Sequence, residues 1–179
     1  MDGALQEMLE NHRLRELVLS YCRAVDRRDF ALVRSLYHDD AIDDHGSMFS
    51  GPADAFVSWL PGVMAQFEAT QHSTSNALFV VEGERANGEI YVVAYHRTHP
   101  PDAQEVVIGG RYLDRYERRQ GQWKFSHRSL ALDWCNVRAV DPAAYQQFAA
   151  GAALGCAGAD DPSYAALPLF RRGEREPPI

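Results

Sequence analysis

Residues 66–135 constrain the fold most, because Val, Ile, Thr, Tyr and Phe concentrate there in runs separated by turn signals. Runs of this kind read as successive antiparallel strands, since β-branched and aromatic side chains suit a pleated, half-buried surface. Four strands are expected. The first spans residues 72–82, and Asn87-Gly88 is a hairpin signal into the second, residues 89–99, which Pro100-Pro101-Asp102 ends. The third covers residues 105–118, with Gly109-Gly110 as a bulge where the sheet bends, and Gln120-Gly121 turns into the fourth, residues 122–135.

Ahead of this meander the periodicity is helical. Over residues 12–28, Leu14, Leu17, Val18, Tyr21, Cys22 and Val25 recur three and four apart as one apolar stripe, with Arg13, Glu16, Ser20, Arg23 and Arg27 opposite. Asp29 is placed to cap a second short helix through Phe30, Val33, Leu36 and Tyr37. A third follows Gly51-Pro52 through Phe56, Trp59, Leu60, Val63 and Met64, and Pro61 is expected to kink or break it. Helices first and a long meander afterwards give an α+β domain, residues 1–140, whose strongly bent antiparallel sheet wraps around the helices. Residues 141–179 form an extension: a short helix over 142–153, small-residue loops, an apolar patch from Tyr164 to Phe170, and a charged, proline-containing end expected to fray. The patch is too apolar to be left in water and is expected to dock on the sheet or on a neighbouring subunit.

Composition works mainly by exclusion. A chain of 179 residues, 46% hydrophobic and 11% aromatic, fits one globular domain. Eighteen Lys and Arg against 25 Asp and Glu leave a net charge of -7, which disfavours nucleic acid, whose phosphates attract clustered positive charge. The N-terminal residues hold no basic stretch followed by an apolar block, and no segment reaches membrane-spanning length, so a cytoplasmic protein without a membrane partner is expected. Cys22, Cys135 and Cys156 are too widely spaced for a zinc motif and too few for a disulfide framework. His38, Asp39 and Asp40 with Asp43, Asp44 and His45 lack metal-ligand spacing, so no metal is expected.

Several ionisable residues admit two readings. Asp26 lies near the C-terminus of the first helix, where a negative charge opposes the helix dipole by about 0.3–1 kcal/mol. Either it is exposed in the last turn or a partner compensates it. His72 opens the sheet, and imidazole, with an ordinary pKa of about 6.5, suits a base near neutral pH, though lone strand histidines are often structural. Tyr21, central in the stripe, is a core residue or a buried phenol awaiting an oxygen partner. Arg128 is expected to face inward and His127 outward, with Glu117 or Asp114 as Arg128's partner unless a ligand anion serves. His45 is a second pocket acid or base, or an exposed loop residue. His96 and His99 read as surface. Phe56, Trp59, Met64 and Trp134 are core residues first, some of them expected to line an apolar pocket for an aromatic substrate.

The element order resembles the nuclear transport factor 2-like superfamily, and within it the SnoaL-like branch. The residues that carry this are Tyr21, Ala24, Val25, Asp26 and Asp29, the run Leu36-Tyr37-His38-Asp39-Asp40-Ala41, Gln71-His72, Asn76, Tyr112, Arg115, Trp123, His127-Arg128 and Asp133-Trp134. The resemblance implies a cone-shaped α+β barrel and points to the branch's cofactor-free dehydratases, dehydrochlorinases and aldehyde-releasing lyases. In these an Asp of the first helix and a His of the sheet form a dyad, matched here by Asp26 and His72. Tyr21 matches the pocket tyrosine of the dehydratases and Arg128 the pocket arginine of the dehydrochlorinases. The latter carry Lys where this chain has Tyr21, which favours oxygen chemistry over halide elimination.

The resemblance thus implies a cofactor-independent lyase of aromatic compound catabolism, removing water or an aldehyde from a hydrophobic hydroxylated small molecule. His72 is then the base, Asp26 its orienting partner, Tyr21 a proton donor and Arg128 a stabiliser of negative charge, with His45, Phe56, Trp59, Met64 and Trp134 around the substrate. An isomerase or polyketide cyclase with the same dyad, or a non-catalytic ligand carrier or structural subunit, are the other readings, since fold does not fix chemistry. A homo-oligomer built on the sheet's outer face, trimer ahead of dimer, is also implied.

Overall fold

The structure, a computed structural model, describes residues 3–173. Helix α1 (Gly3–Asp26) begins earlier than the apolar stripe and buries Leu14, Leu17, Val18, Tyr21, Cys22 and Val25. It ends where Arg28 takes a left-handed φ of 54°, which lets the Asp29 amide donate to the Ala24 carbonyl at 2.8 Å. A non-glycine residue there costs about 1–2 kcal/mol. The Arg28 guanidinium offsets this by donating to the carbonyls of Val25 and Asp26, and to those of Met64 and Phe67 on neighbouring elements. Asp29 then caps α2 (Phe30–Ser35), accepting from the Leu32 amide. Helix α3 (Ala53–Met64) runs through Pro61 instead of breaking there. Leu60 and Met64, on either side of the proline, are both buried, and that burial outweighs the one hydrogen bond proline cannot donate.

Six strands form one sheet in the order β2-β1-β6-β5-β4-β3. The meander β3 (Phe67–Glu82), β4 (Arg85–Thr98), β5 (Gln104–Arg119) and β6 (Gln122–Ala139) is antiparallel throughout. Two strands extend it that the residues did not announce. β1 (Tyr37–Asp44) includes Tyr37, expected in the second helix, and pairs parallel to β6, while β2 (Ser50–Pro52) pairs antiparallel to β1. The sheet is therefore mixed, and because β2 and β3 are both edges it is an unclosed, curved cone around the helices. Four aspartates among the eight residues of β1 hide its strand character, which the ladder to β6 supplies from outside.

The hairpin expected at Asn87-Gly88 lies elsewhere. The chain turns at Gly83-Glu84, and Asn87 and Gly88 sit inside β4 opposite Val80 and Phe79. Gly88 is small for packing: a Cβ there would stand 2.9 Å from the Phe79 ring and 3.0 Å from that of Tyr116. The turn at Gln120-Gly121 and the irregularity at Gly109-Gly110 fall where expected, the latter as a register shift that leaves Asp133 unpaired between Trp134 and Leu132.

At one end of the cone α1 is tied to the strand turns through the buried Glu10, which accepts from the Trp123 indole and the Arg118 guanidinium. At the other end lies the C-terminal segment. α4 (Pro142–Ala149) sits beyond β6, with Tyr145 beneath the Arg97 guanidinium. α5 (Pro162–Ala166) and the residues after it lie on α1, where the apolar patch had been expected on the sheet or a neighbour. The Arg23 guanidinium lies over the rings of Tyr164 and Phe170, Arg27 pairs with the buried Asp161 at 3.1 Å, and Arg172 donates to the carbonyls of Arg27 and Arg28. Arg23 lies on the polar side of α1, so the patch meets a cation face as well as apolar surface. The end from Arg171 to Ile179 was expected to fray, but Arg172 and Gly173 are bonded to Arg27, Arg28 and Asp29, and residues 174–179 lie outside the described residues.

The bulge gives a stability prediction. At Gly110 a Cβ would lie 2.5 Å from the Ala131 carbonyl oxygen, a backbone atom that cannot step aside, whereas at Gly109 the nearest atoms are those of the Trp134 indole, a side chain. G110A is expected to lose about 1–3 kcal/mol in chemical denaturation. G109A is expected to displace the indole, read as a change in tryptophan emission.

Candidate active site

The last residue of α1 carries its carboxylate to the start of the sheet. Asp26 Oδ1 accepts from His72 Nδ1 at 2.7 Å and from the Thr70 hydroxyl at 3.0 Å, and Oδ2 accepts from the His72 backbone amide at 2.9 Å. Arg28 in turn donates to the Thr70 hydroxyl at 2.9 Å, so a positive charge stands behind the network. Burial alone would raise the Asp26 pKa. The hydrogen bonds and charge of His72 outweigh it and hold the carboxyl below its ordinary range. The charge opposing the helix dipole is thus compensated by β3. With Nδ1–H committed to the carboxylate, His72 keeps Nε2 as its proton acceptor.

His96, expected on the surface, is instead beside the dyad. β4 places it on the same face as His72, because His72 pairs with Ala94, two residues away. The two imidazoles meet edge to face at 5.5 Å, and Phe67 packs on His96 at 4.8 Å. Its Nδ1 is buried with no hydrogen-bond partner among the described residues. Burial first, and then the neighbouring His72, lower its pKa to about 4, so it is neutral at physiological pH. Only the long β4, carried past the expected turn, brings it here.

Asp26 and His72 open onto a cavity of about 370 Å³ whose other walls are Leu19, Cys22 and Arg23 of α1, Arg27 just after it, and Ser163, Leu167 and Phe170 of the C-terminal segment. A larger depression of about 720 Å³ lies elsewhere, lined by Arg115 and His127 on the face opposite Arg128. The smaller cavity is the candidate site, because it alone of the two joins a paired acid and base to apolar walls of ligand-binding size.

Tyr21 and Arg128 belong to a separate interior cluster. Arg128 faces inward as expected and is fully buried, with Asp114 as its partner through Nε at 2.8 Å and Nη2 at 2.7 Å. Its guanidinium lies 4.0–4.1 Å from the rings of Tyr21, Tyr112 and Phe125. Nη1 has no hydrogen-bond partner among the described residues. Burial opposes the charge, but Asp114 prevails and raises the pKa well above the ordinary value. Burial, with Asp43 adding to it, likewise keeps the Tyr21 phenol protonated. Cys22 lies within the electrostatic reach of both Arg128 and Asp26, and burial pushes its thiol up to about 12, so it is a neutral wall residue and not a nucleophile.

The remaining expected residues gather away from the dyad. Asp43, fully buried, accepts from the Tyr37 hydroxyl and holds His45 Nδ1, while the His45 ring stacks on Phe56 at 5.2 Å. Trp59 packs on Phe56 and Phe49 in the same group. Met64 is buried at the end of α3. Trp134 pairs with Gly109, one residue out of phase with the line Ala94, Ile108 and Cys135 that shares His72's face, and so lies on the opposite side of the sheet. None of these five lines the dyad cavity. Among the described residues no three His, Cys, Asp or Glu side chains converge as metal ligands, and no helix is long and apolar enough to cross a membrane.

Comparison with known proteins places the chain in a family. The family model of the SnoaL-like domain matches residues 6–129. A gamma-hexachlorocyclohexane dehydrochlorinase of Sphingobium indicum is 28% identical over 134 residues, which are 73% of this chain and 85% of that protein. Among solved structures, a scytalone dehydratase candidate from Novosphingobium aromaticivorans is 26% identical with a TM-score of 0.66, over 76% of this chain and 94% of that one. A hexachlorocyclohexane dehydrochlorinase of Novosphingobium barchaimii shares the fold at 19% identity, with a TM-score of 0.67 over 78% and 96% of the two chains. A match over more than half its length shows that this chain belongs to the SnoaL-like domain family, of the nuclear transport factor 2-like superfamily.

Proposed function

We propose that this protein is a cofactor-independent lyase that removes water or an aldehyde from a hydrophobic, hydroxylated aromatic small molecule. The observation that carries the reading is the His72–Asp26 pair at the wall of a part-apolar cavity. It is supported by membership of a family that includes relatives of lyase type.

His72 Nε2 takes a proton from carbon or from a hydroxyl, and Asp26 stabilises the imidazolium that results. His96 packs edge to face on His72 as a neutral imidazole and so adds no charge beside the base. Tyr21 and Arg128 lie in the interior cluster and not on the cavity wall, so Arg128 acts on developing negative charge only through its field. Its pairing with Asp114 makes it a weaker electrostatic partner than an unpaired arginine would be. Water loss begins with a proton taken from carbon and aldehyde loss with one taken from a hydroxyl, and one base serves either. Exposed Tyr91, Val93 and Trp134, on the sheet face away from His72, support a homo-oligomer, with a trimer favoured.

The first test is proton abstraction itself. With a panel of benzylic alcohols in deuterated water, wild type is expected to exchange or eliminate. H72A should lower the rate by about 10²–10⁴ and D26N by a comparable factor, as measured by NMR. Retained exchange in H72A would sink the dyad mechanism. The second test concerns His96. An unfolded chain takes up a proton near pH 6.5 that the folded one refuses until about pH 4, so folding stability falls with pH across that window. In thermal melts H96Q is therefore expected to gain on wild type as pH drops from about 6.5 to 4, and a constant difference would contradict a buried neutral His96.

A further inference from the structure

The cavity wall opposite the dyad comes from beyond the family match, which ends at residue 129, and it packs on a charge of α1 that the proposed chemistry leaves unused. Three arginines stand at the C-terminal end of α1. Arg27 is neutralised by Asp161, itself nearly fully buried, and Arg28 is occupied by Thr70 and four carbonyls. Arg23 pairs with no carboxylate among the described residues. Its hydrogen-bond partner is the Ser163 hydroxyl, at the long distance of 3.5 Å, and its guanidinium carbon lies over the rings of Tyr164 at 4.9 Å and Phe170 at 4.7 Å. The guanidinium is held by stacking, which leaves its N–H edges available, and Arg23 lines the cavity together with Leu167 and Phe170. The carboxylate in the same cavity, Asp26, is already committed to His72. A part-buried, stacked and unpaired arginine beside an apolar wall is the arrangement that recognises a planar apolar molecule bearing an anionic group.

We infer that Arg23, fixed by the C-terminal segment, binds an anionic substituent of the substrate, so that the substrate class is an aromatic carboxylate or a comparably acidic aromatic whose ring rests on Leu167 and Phe170. This rests on the dyad cavity being the substrate site but concerns binding, not proton abstraction. The Asp161–Arg27 pair and the Arg172 contacts to the end of α1 make the segment a fixed wall, and Arg23 becomes a specificity-determining residue.

The test uses the full chain and two probes of nearly equal shape, 4-hydroxycinnamate and its methyl ester, with binding measured by calorimetry. Wild type is expected to prefer the carboxylate on the order of tenfold. R23Q should abolish the preference while keeping the affinity for the ester, R23K should restore part of it, and R15Q, at an exposed arginine of α1 outside the cavity, should retain it. F170A is expected to weaken both probes alike. H72A, which tests the dyad reading through turnover, should leave the preference intact. Equal binding of the two probes by wild type, a preference that survives in R23Q, or one that disappears in H72A would each overturn the assignment. Circular dichroism of each variant checks that the fold is kept.

Discussion

A carboxylate at the negative end of a helix dipole is the interaction on which the site depends. Asp26 is unfavourable in α1 considered alone, and it becomes favourable because β3 brings two donors from His72 and one from Thr70 to it. The same three bonds dock the helix end on the sheet, fix which nitrogen of His72 is free, and align Thr70 to accept from Arg28. Arg28 closes the loop by capping α1 in a left-handed conformation that its side-chain bonds help to sustain. Helix termination, helix-sheet docking and the orientation of the base are therefore one network.

The interior holds a second charged pair with a different task. Arg128 and Asp114 are both essentially inaccessible, and around them Tyr21, Tyr112 and Phe125 supply aromatic faces while Tyr116 donates to Asp114. Such a pair recovers little more than the cost of desolvating it, but leaving either partner alone would be strongly destabilising, so it specifies how β5 and β6 face the helices. Cys22, kept as a neutral thiol, lies within the electrostatic reach of both pairs.

Local chemistry and long-range pairing divided the strands between them. The Gln120-Gly121 turn and the bulge beside Gly109-Gly110 were legible because the residues themselves create the constraint. Asn87-Gly88 carried an equally strong turn signal and was overruled, since Gly88 is small to admit two aromatic rings from neighbouring strands. β1 was invisible for the converse reason: its aspartates describe a loop, and only the parallel ladder to β6 makes it a strand. Pro61 failed to break α3 because burial on both sides outweighed it.

By itself the sequence determined the α+β class, the stripe of α1, the Asp29 cap, and the pairing of Asp26 with His72 suggested by resemblance. The first three follow from periodicity, capping chemistry and residue type, which act over a few neighbours, whereas the pairing, 46 residues apart, was implied by the resemblance alone. Tertiary structure decided the rest: that His96 is interior, that Arg128 spends its charge on Asp114, that Trp134 faces away, and that the C-terminal segment lies over α1 to wall the cavity. Each depends on which face of a strand or helix meets a partner far along the chain. A one-residue difference in strand length or register moves a side chain to the other face, and no local pattern records that choice.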